Sequence, residues 1–191
     1  FTFDENVASF ELGDISVTNG TASNFTNVTA GTVWIATITP AADGTTSVTL
    51  NADVALDPAG NTSVAGNTFS TTFDGTAPEV TSITRAEADQ IPTGTTSRDF
   101  TVVFSEDVTG VDVTDFEVVT TGSATASVNA VTAANAKTYT VNVNGISGEG
   151  TIGLNVKSGT DIQDAATNAL AAGFTGQIYT TNFVPTDISI T

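Results

Sequence analysis

Nine residues in turn-like stretches carry most of the oxygen-donor chemistry of this sequence. They are Glu5, Asp57 and Asn61 early in the chain, and Asp74, Glu106, Asp107, Asp161, Asp164 and Asn168 further on. Carboxylates and amide carbonyls are hard donors. They suit calcium, which takes roughly six to eight oxygens at ~2.3–2.6 Å. Magnesium fits less well, because it demands a tighter octahedron and keeps its waters. Other chemistry is largely closed. The chain has no Cys, His or Met, so there is no Cys/His zinc site, no His-based nucleophilic triad and no usual haem or iron–sulfur ligation.

The elements that must position these acids are strands. Among 191 residues, 38 are Thr and only four are basic (Arg85, Arg98, Lys137, Lys157), against 21 acids, for a net charge of −17. Such a surface repels nucleic acid and anionic lipid. Apolar residues make up 39% and are evenly spread, enough for a core despite the charge. They alternate with polar ones: Phe100, Val102 and Phe104; Tyr139, Val141 and Val143; Ile152, Leu154 and Val156; Trp34, Ala36 and Ile38. Alternation of this kind between turn residues predicts an all-β fold of antiparallel β-sandwiches. Trp34 falls at core parity, and the Phe residues mostly do. A single helical turn within 165–172 is the most that Asn168 and Gly173 permit. No apolar run is long enough to span a membrane as a helix.

The sequence repeats itself. Phe3-Asp4-Glu5-Asn6-Val7 aligns with Phe104-Ser105-Glu106-Asp107-Val108, and Asp14-Ile15 with Asp115-Phe116. Trp34 aligns with Tyr139, Val48-Thr49-Leu50-Asn51 with Ile152-Gly153-Leu154-Asn155, and Asp57-Pro58-Ala59-Gly60-Asn61 with Asp164-Ala165-Ala166-Thr167-Asn168. Asp74-Gly75-Thr76-Ala77-Pro78 reads as the boundary, since Pro78 cannot donate to a ladder and Gly75 permits a bend. The expected domains are 1–77, lacking its opening strand, and 78–183. Residues 184–191 resemble the opening strand of a third repeat, so the chain reads as a piece of a longer array. Asp14 and Asp115 precede equivalent strands and suit structural turns better than ligation.

These motifs, in this order and seen twice, resemble the bacterial immunoglobulin-like repeats of large secreted or surface adhesins, which have cadherin-like relatives. The pieces that carry the resemblance are Phe104 to Gly110 with Asp115-Phe116, Gly150 to Leu154 leading to Asp164-Ala165-Ala166, and Asp74 to Pro78. It implies two tandem immunoglobulin-like sandwiches of seven strands each, a non-enzymatic extracellular or cell-surface stalk role, and calcium at junctions. The sequence departs from its own pattern at Thr167, which replaces Gly60, and at the second linker, which lacks an acid matching Asp74.

In that topology the loops holding Glu106 and Asp107, and Asp161, Asp164 and Asn168, share the pole where the chain enters, and Asp74 arrives there from the preceding domain. Converging carboxylates repel, so without a cation one pKa should rise. A bound calcium would remove that penalty and stiffen the linker. Glu5, Asp57 and Asn61 form the matching pole of the first unit. The same acids could equally serve as solvated turns, because Asp-Pro-Ala-Gly-Asn is a good turn with or without metal. Expected partners are neighbouring repeats of the same chain, with no nucleic acid and no membrane insertion. Two other readings stay open: a filament subunit joining identical chains by strand exchange, and a carbohydrate-binding module, which would need an exposed aromatic pair.

Overall fold

The computed structural model describes residues 1–181. The segment 184–191, expected to open a further repeat, lies outside them. The chain divides into a first unit, Phe1–Thr76, and a second that begins at Ala77.

The first unit holds β1 (Ile15–Thr18), β2 (Gly20–Thr29), β3 (Val33–Pro40), β4 (Gly44–Leu50) and β5 (Phe69–Phe73). One sheet has the order β1-β4-β5 and the other pairs β2 with β3, all antiparallel. Phe10 organises the core. Its ring meets Phe1, Phe3, Phe25 and Trp34 edge-on at 5.1–5.6 Å, and Trp34 stacks on Phe25 at 5.0 Å. Edge-to-face contacts of this kind suit the aromatic quadrupole. Phe10, Ile15 and Ala55 are the buried apolar residues of this cluster.

The second unit holds β6 (Val80–Arg85), β7 (Gln90–Ile91), β8 (Ser97–Phe104), β9 (Phe116–Thr120), β10 (Thr125–Asn135), β11 (Thr138–Ser147), β12 (Gly150–Val156) and β13 (Phe174–Thr181). Its sheets are β10-β11-β8-β6 and β7-β13-β12-β9. All pairs are antiparallel except β13 with β7. Described strands therefore number eight rather than the expected seven, because the opening segment contributes one strand to each sheet. The predicted alternation holds: Phe100, Val102, Phe104, Val141, Val143, Ile152, Leu154 and Val156 all point into one core. Tyr179 joins them, its ring edge-on to Phe100 at 5.1 Å.

The two units repeat each other bond for bond along the loops. Phe3 N–H donates to Thr32 O, and Phe104 N–H donates to Lys137 O, each at 2.9 Å. Val7 and Val108 likewise donate to Gly31 O and Ala136 O. Bridges Ala8–Leu56 and Leu56–Thr62 match Thr109–Gln163 and Gln163–Ala169. Each unit also has a short 3-10 turn, Leu12–Asp14 and Val113–Asp115. Asp14 accepts from Glu11 N–H at 2.8 Å and Asp115 from Asp112 N–H at 2.7 Å, so both acids serve the turn.

One alignment needs correcting. Ile15 pairs with Leu50, and Phe116 pairs with Val156. The counterpart of Val48 is therefore Leu154 rather than Ile152, and the true match is displaced by two residues. Gly44 and Gly150, both at positive φ (117° and 147°), then open equivalent strands. A shift of two keeps every side chain on its face, so the displaced alignment preserved the hydrophobic pattern. The helical turn allowed within 165–172 does not form; the segment is an irregular turn.

Candidate metal centre

The end of the second unit where the chain enters is built by three segments. Pro78 O accepts from Ala171 N–H at 3.0 Å, and Glu79 O accepts from Ser105 N–H at 2.8 Å. Ser105 Oγ accepts in return from Glu79 N–H at 2.9 Å. The incoming strand is thus clamped beside Glu106. The loop after β8 is joined to the loop after β12 by Thr109 and Gln163, which exchange backbone hydrogen bonds of 2.8 and 3.2 Å. That pairing brings Glu106 and Asp164 together, each offering a carboxylate oxygen within 4.8 Å of the other.

Asp164 is 3% exposed. Its Oδ1 accepts from Asn168 N–H and its Oδ2 from the Asn168 side-chain amide, both at 2.8 Å. Burial opposes its charge. The Asn168 amide and the backbone N–H groups of Asn168, Ala166 and Thr167 outweigh that effect, and hold the carboxyl below its ordinary range. The expected rise in pKa is therefore absent at Asp164, because loop donors compensate the charge before any cation is considered. Asn168 supports the acid through its N–H groups.

Asp107 and Asp161 are both exposed. Burial raises the Tyr139 pKa, and the charge of Asp107 adds to that rise. Asp161 contributes to the raised pKa of buried Asp115, whose main cause is desolvation. Asp74 follows β5 and is half-buried, and its Oδ1 accepts from Thr76 N–H at 3.1 Å. Asp43 secures that stretch: its carboxylate accepts from Gly75 N–H at 2.7 Å and from the Thr76 hydroxyl. These bonds hold its pKa below the usual range, the Thr76 hydroxyl contributing most. Sequence reasoning missed Asp43, since the contact spans more than thirty residues and no local spacing signals it.

The first unit repeats the acidic loop. Asp57 Oδ1 accepts from Ala59 and Asn61 N–H at 2.8 Å, and its Oδ2 from the Asn61 amide at 2.7 Å. The Asn61 amide is the main cause of its lowered pKa. Glu5, Asp57 and Asn61 line one open cleft. In both loops the fourth residue has positive φ, 89° at Gly60 and 71° at Thr167. The glycine adopts this conformation freely, while the β-branched threonine is strained.

Two repeats with shared loop geometry, each built on mainly antiparallel sheets, define an immunoglobulin-like β-sandwich class. Residues 1–73 match the family model described as a bacterial Ig-like domain. The recognition of a bacterial immunoglobulin-like repeat stands over those residues. No curated protein and no solved structure matches the chain. Bacterial Ig-like domains are typically non-catalytic and commonly extracellular or surface-exposed. Among the described residues, no helix is long and apolar enough to cross a membrane.

Proposed function

We propose that the chain is a non-enzymatic spacer from an extracellular repetitive adhesin, and that calcium stiffens the entry to its second unit. Asp164 carries this reading: a buried carboxylate held ionised beside Glu106, at the end where the chain arrives. Asp74 lies four residues before Pro78, which is itself anchored to that end. An extended chain of that length reaches at most ~14 Å, so Asp74 is available as the third carboxylate. The donor set of hard oxygens fits calcium. Asn168 orients Asp164, and Asp107 and Asp161 add local negative charge. Glu5, Asp57 and Asn61 supply a partial equivalent in the first unit. A dissociation constant of about 10⁻⁴–10⁻³ M is expected for an extracellular module.

Thermal unfolding in calcium, in chelator and in magnesium at matched ionic strength tests this. Both tyrosines lie in the second unit and the single Trp in the first, so the two signals separate the units. Calcium alone should raise the tyrosine-reported transition, by mass action on the folded state. Asp164→Ala and Asp74→Ala should each remove that rise. Equal melting in all three buffers would leave the acids as solvated turns.

A further inference from the structure

The opening segment of the second unit runs beside β13 in the same direction. Gly176 meets Ile83 so closely that a Cβ there would lie 2.6 Å from Ile83 Cγ2. Further on, Arg85 N–H donates to Gln177 Oε1 at 3.0 Å, and the Arg85 guanidinium donates to Ile178 O. Glu87 N–H donates to the Tyr179 hydroxyl at 3.1 Å. Thr180 N–H then donates to Asp89 O, and Thr180 and Thr181 pair with Gln90 and Ile91 in parallel register. From Ile83 to Ile91, the partners on β13 advance from Gly176 to Thr181.

Side chains fasten this run. The Tyr179 hydroxyl lies between the Glu87 carboxylate and Asp99 O. The Arg98 guanidinium carbon sits 5.9 Å from the centre of the Tyr179 ring. The Asp89 carboxylate accepts from Thr180 N–H at 3.1 Å and from the Thr180 hydroxyl at 3.3 Å, and pairs with Arg85 at 3.2 Å. Tyr179, Thr181 and Ile91 are buried, so the bonds around them are shielded from water.

Direction decides how such a pair meets tension. A pull along the chain enters the second unit before Val80 and leaves it after Thr181. In a parallel pair these two points lie at opposite ends, so the load acts along the strands and strains every bond between them together. An antiparallel hairpin pulled at its two free ends would be peeled open one bond at a time. The geometry points to residues 83–91 and β13 as the force-bearing latch of the second unit, loaded in shear and anchored by Tyr179 and Asp89. This rests on the spacer reading only for the source of the tension, and not on calcium.

Single full chains pulled from both ends, in chelator, test the latch. The second unit is the longer of the two, so its unfolding releases more chain and can be told apart. In this cysteine-free chain, Thr93→Cys offers a second attachment point on an exposed residue just after β7. Pulling from there against the C-terminal end puts both pulled points at one end of the parallel pair. The second unit should then open at a clearly lower force. Tyr179→Phe should speed end-to-end unfolding at fixed load roughly tenfold, as expected for losing a hydrogen bond to a charged group. Tyr139→Phe removes a buried hydroxyl bond to Val108 O outside this run, and should change that rate far less. Equal forces in the two pulling geometries overturn the proposal. So does an equal effect of the two Tyr→Phe variants, which would leave Tyr179 a general stabiliser of the fold.

Discussion

The two units share their loops and differ in their cores. Among the described residues the second buries eighteen apolar residues in one cluster, and the first three. Yet both make the same Phe3/Phe104 and Val7/Val108 hydrogen bonds, the same loop bridges and the same acid-capped 3-10 turn. These loop contacts join segments distant in the chain, and both units form them. In the second unit Val80 and Ile83 of β6 and Ile91 of β7 add to the buried cluster. The two units thus differ in burial and agree in loop pairing.

The largest test of this contrast is a pair of truncations. Phe100 is fully buried, so Phe100→Ala should cost the second unit about 3–5 kcal/mol. Phe69→Ala should change the first unit by only about 0.5 kcal/mol. Urea unfolding followed by tyrosine and tryptophan signals separately would read both. Comparable losses would mean that β5 is covered in solution.

Acid titration should split the units' carboxylates by sign. Asp57 and Asp164 have lowered pKa values in the fold. Their stabilisation is present above the unfolded value of about 3.9 and is lost as pH falls through the folded one. Asp115 is shifted the other way, chiefly by burial. Its charge costs stability above its raised pKa, and the cost fades as pH falls through it. Asp115→Asn should therefore raise the melting temperature of the second unit at neutral pH and flatten that window, since the amide carbonyl can still accept from Asp112 N–H. A lower melting temperature at pH 7 would refute this.

A smaller effect lies at the alkaline end. The Tyr179 hydroxyl sits between the Glu87 carboxylate and Asp99 O. Burial first, then Glu87, push its pKa up to about 12. Stability of the second unit should fall as pH rises from about 10, where an unfolded tyrosine ionises, towards that value. Ultraviolet absorbance should show one phenol ionising near pH 12. Tyr179→Phe should remove that last step.

The smallest expected effect is an exchange between the acidic loops. Thr167→Gly relieves a left-handed threonine and should stabilise the second unit by about 1 kcal/mol. Gly60→Thr should cost the first unit a similar amount. Differential unfolding under calcium-free conditions would measure both, and a null result in each would mean that the loop relaxes around the side chain.

Much of this was legible in the chain. Alternation of apolar residues sets strand faces, so the repeat, the sandwich class and the Asp57–Asn61 and Asp164–Asn168 loops could be read directly. The slip of two residues between Val48 and Leu154 was invisible, because a two-residue shift leaves the pattern unchanged. Phe69 and Phe73 are exceptions to the expectation that the Phe residues mostly sit in the core, since both are exposed. Two exposed rings on one strand leave the carbohydrate-binding alternative standing.

Sequence alone determined the elements and the residue types at their turns, since backbone sterics and hydrophobic period act over a few positions. Tertiary structure decided the rest. It divided the opening segment between two sheets as β6 and β7, and set Asp43 on Gly75 and Thr76 across a long interval. It buried Asp164 at the entry end of the second unit. Each of these depends on groups distant in the chain, and their approach is set by packing rather than by local preference.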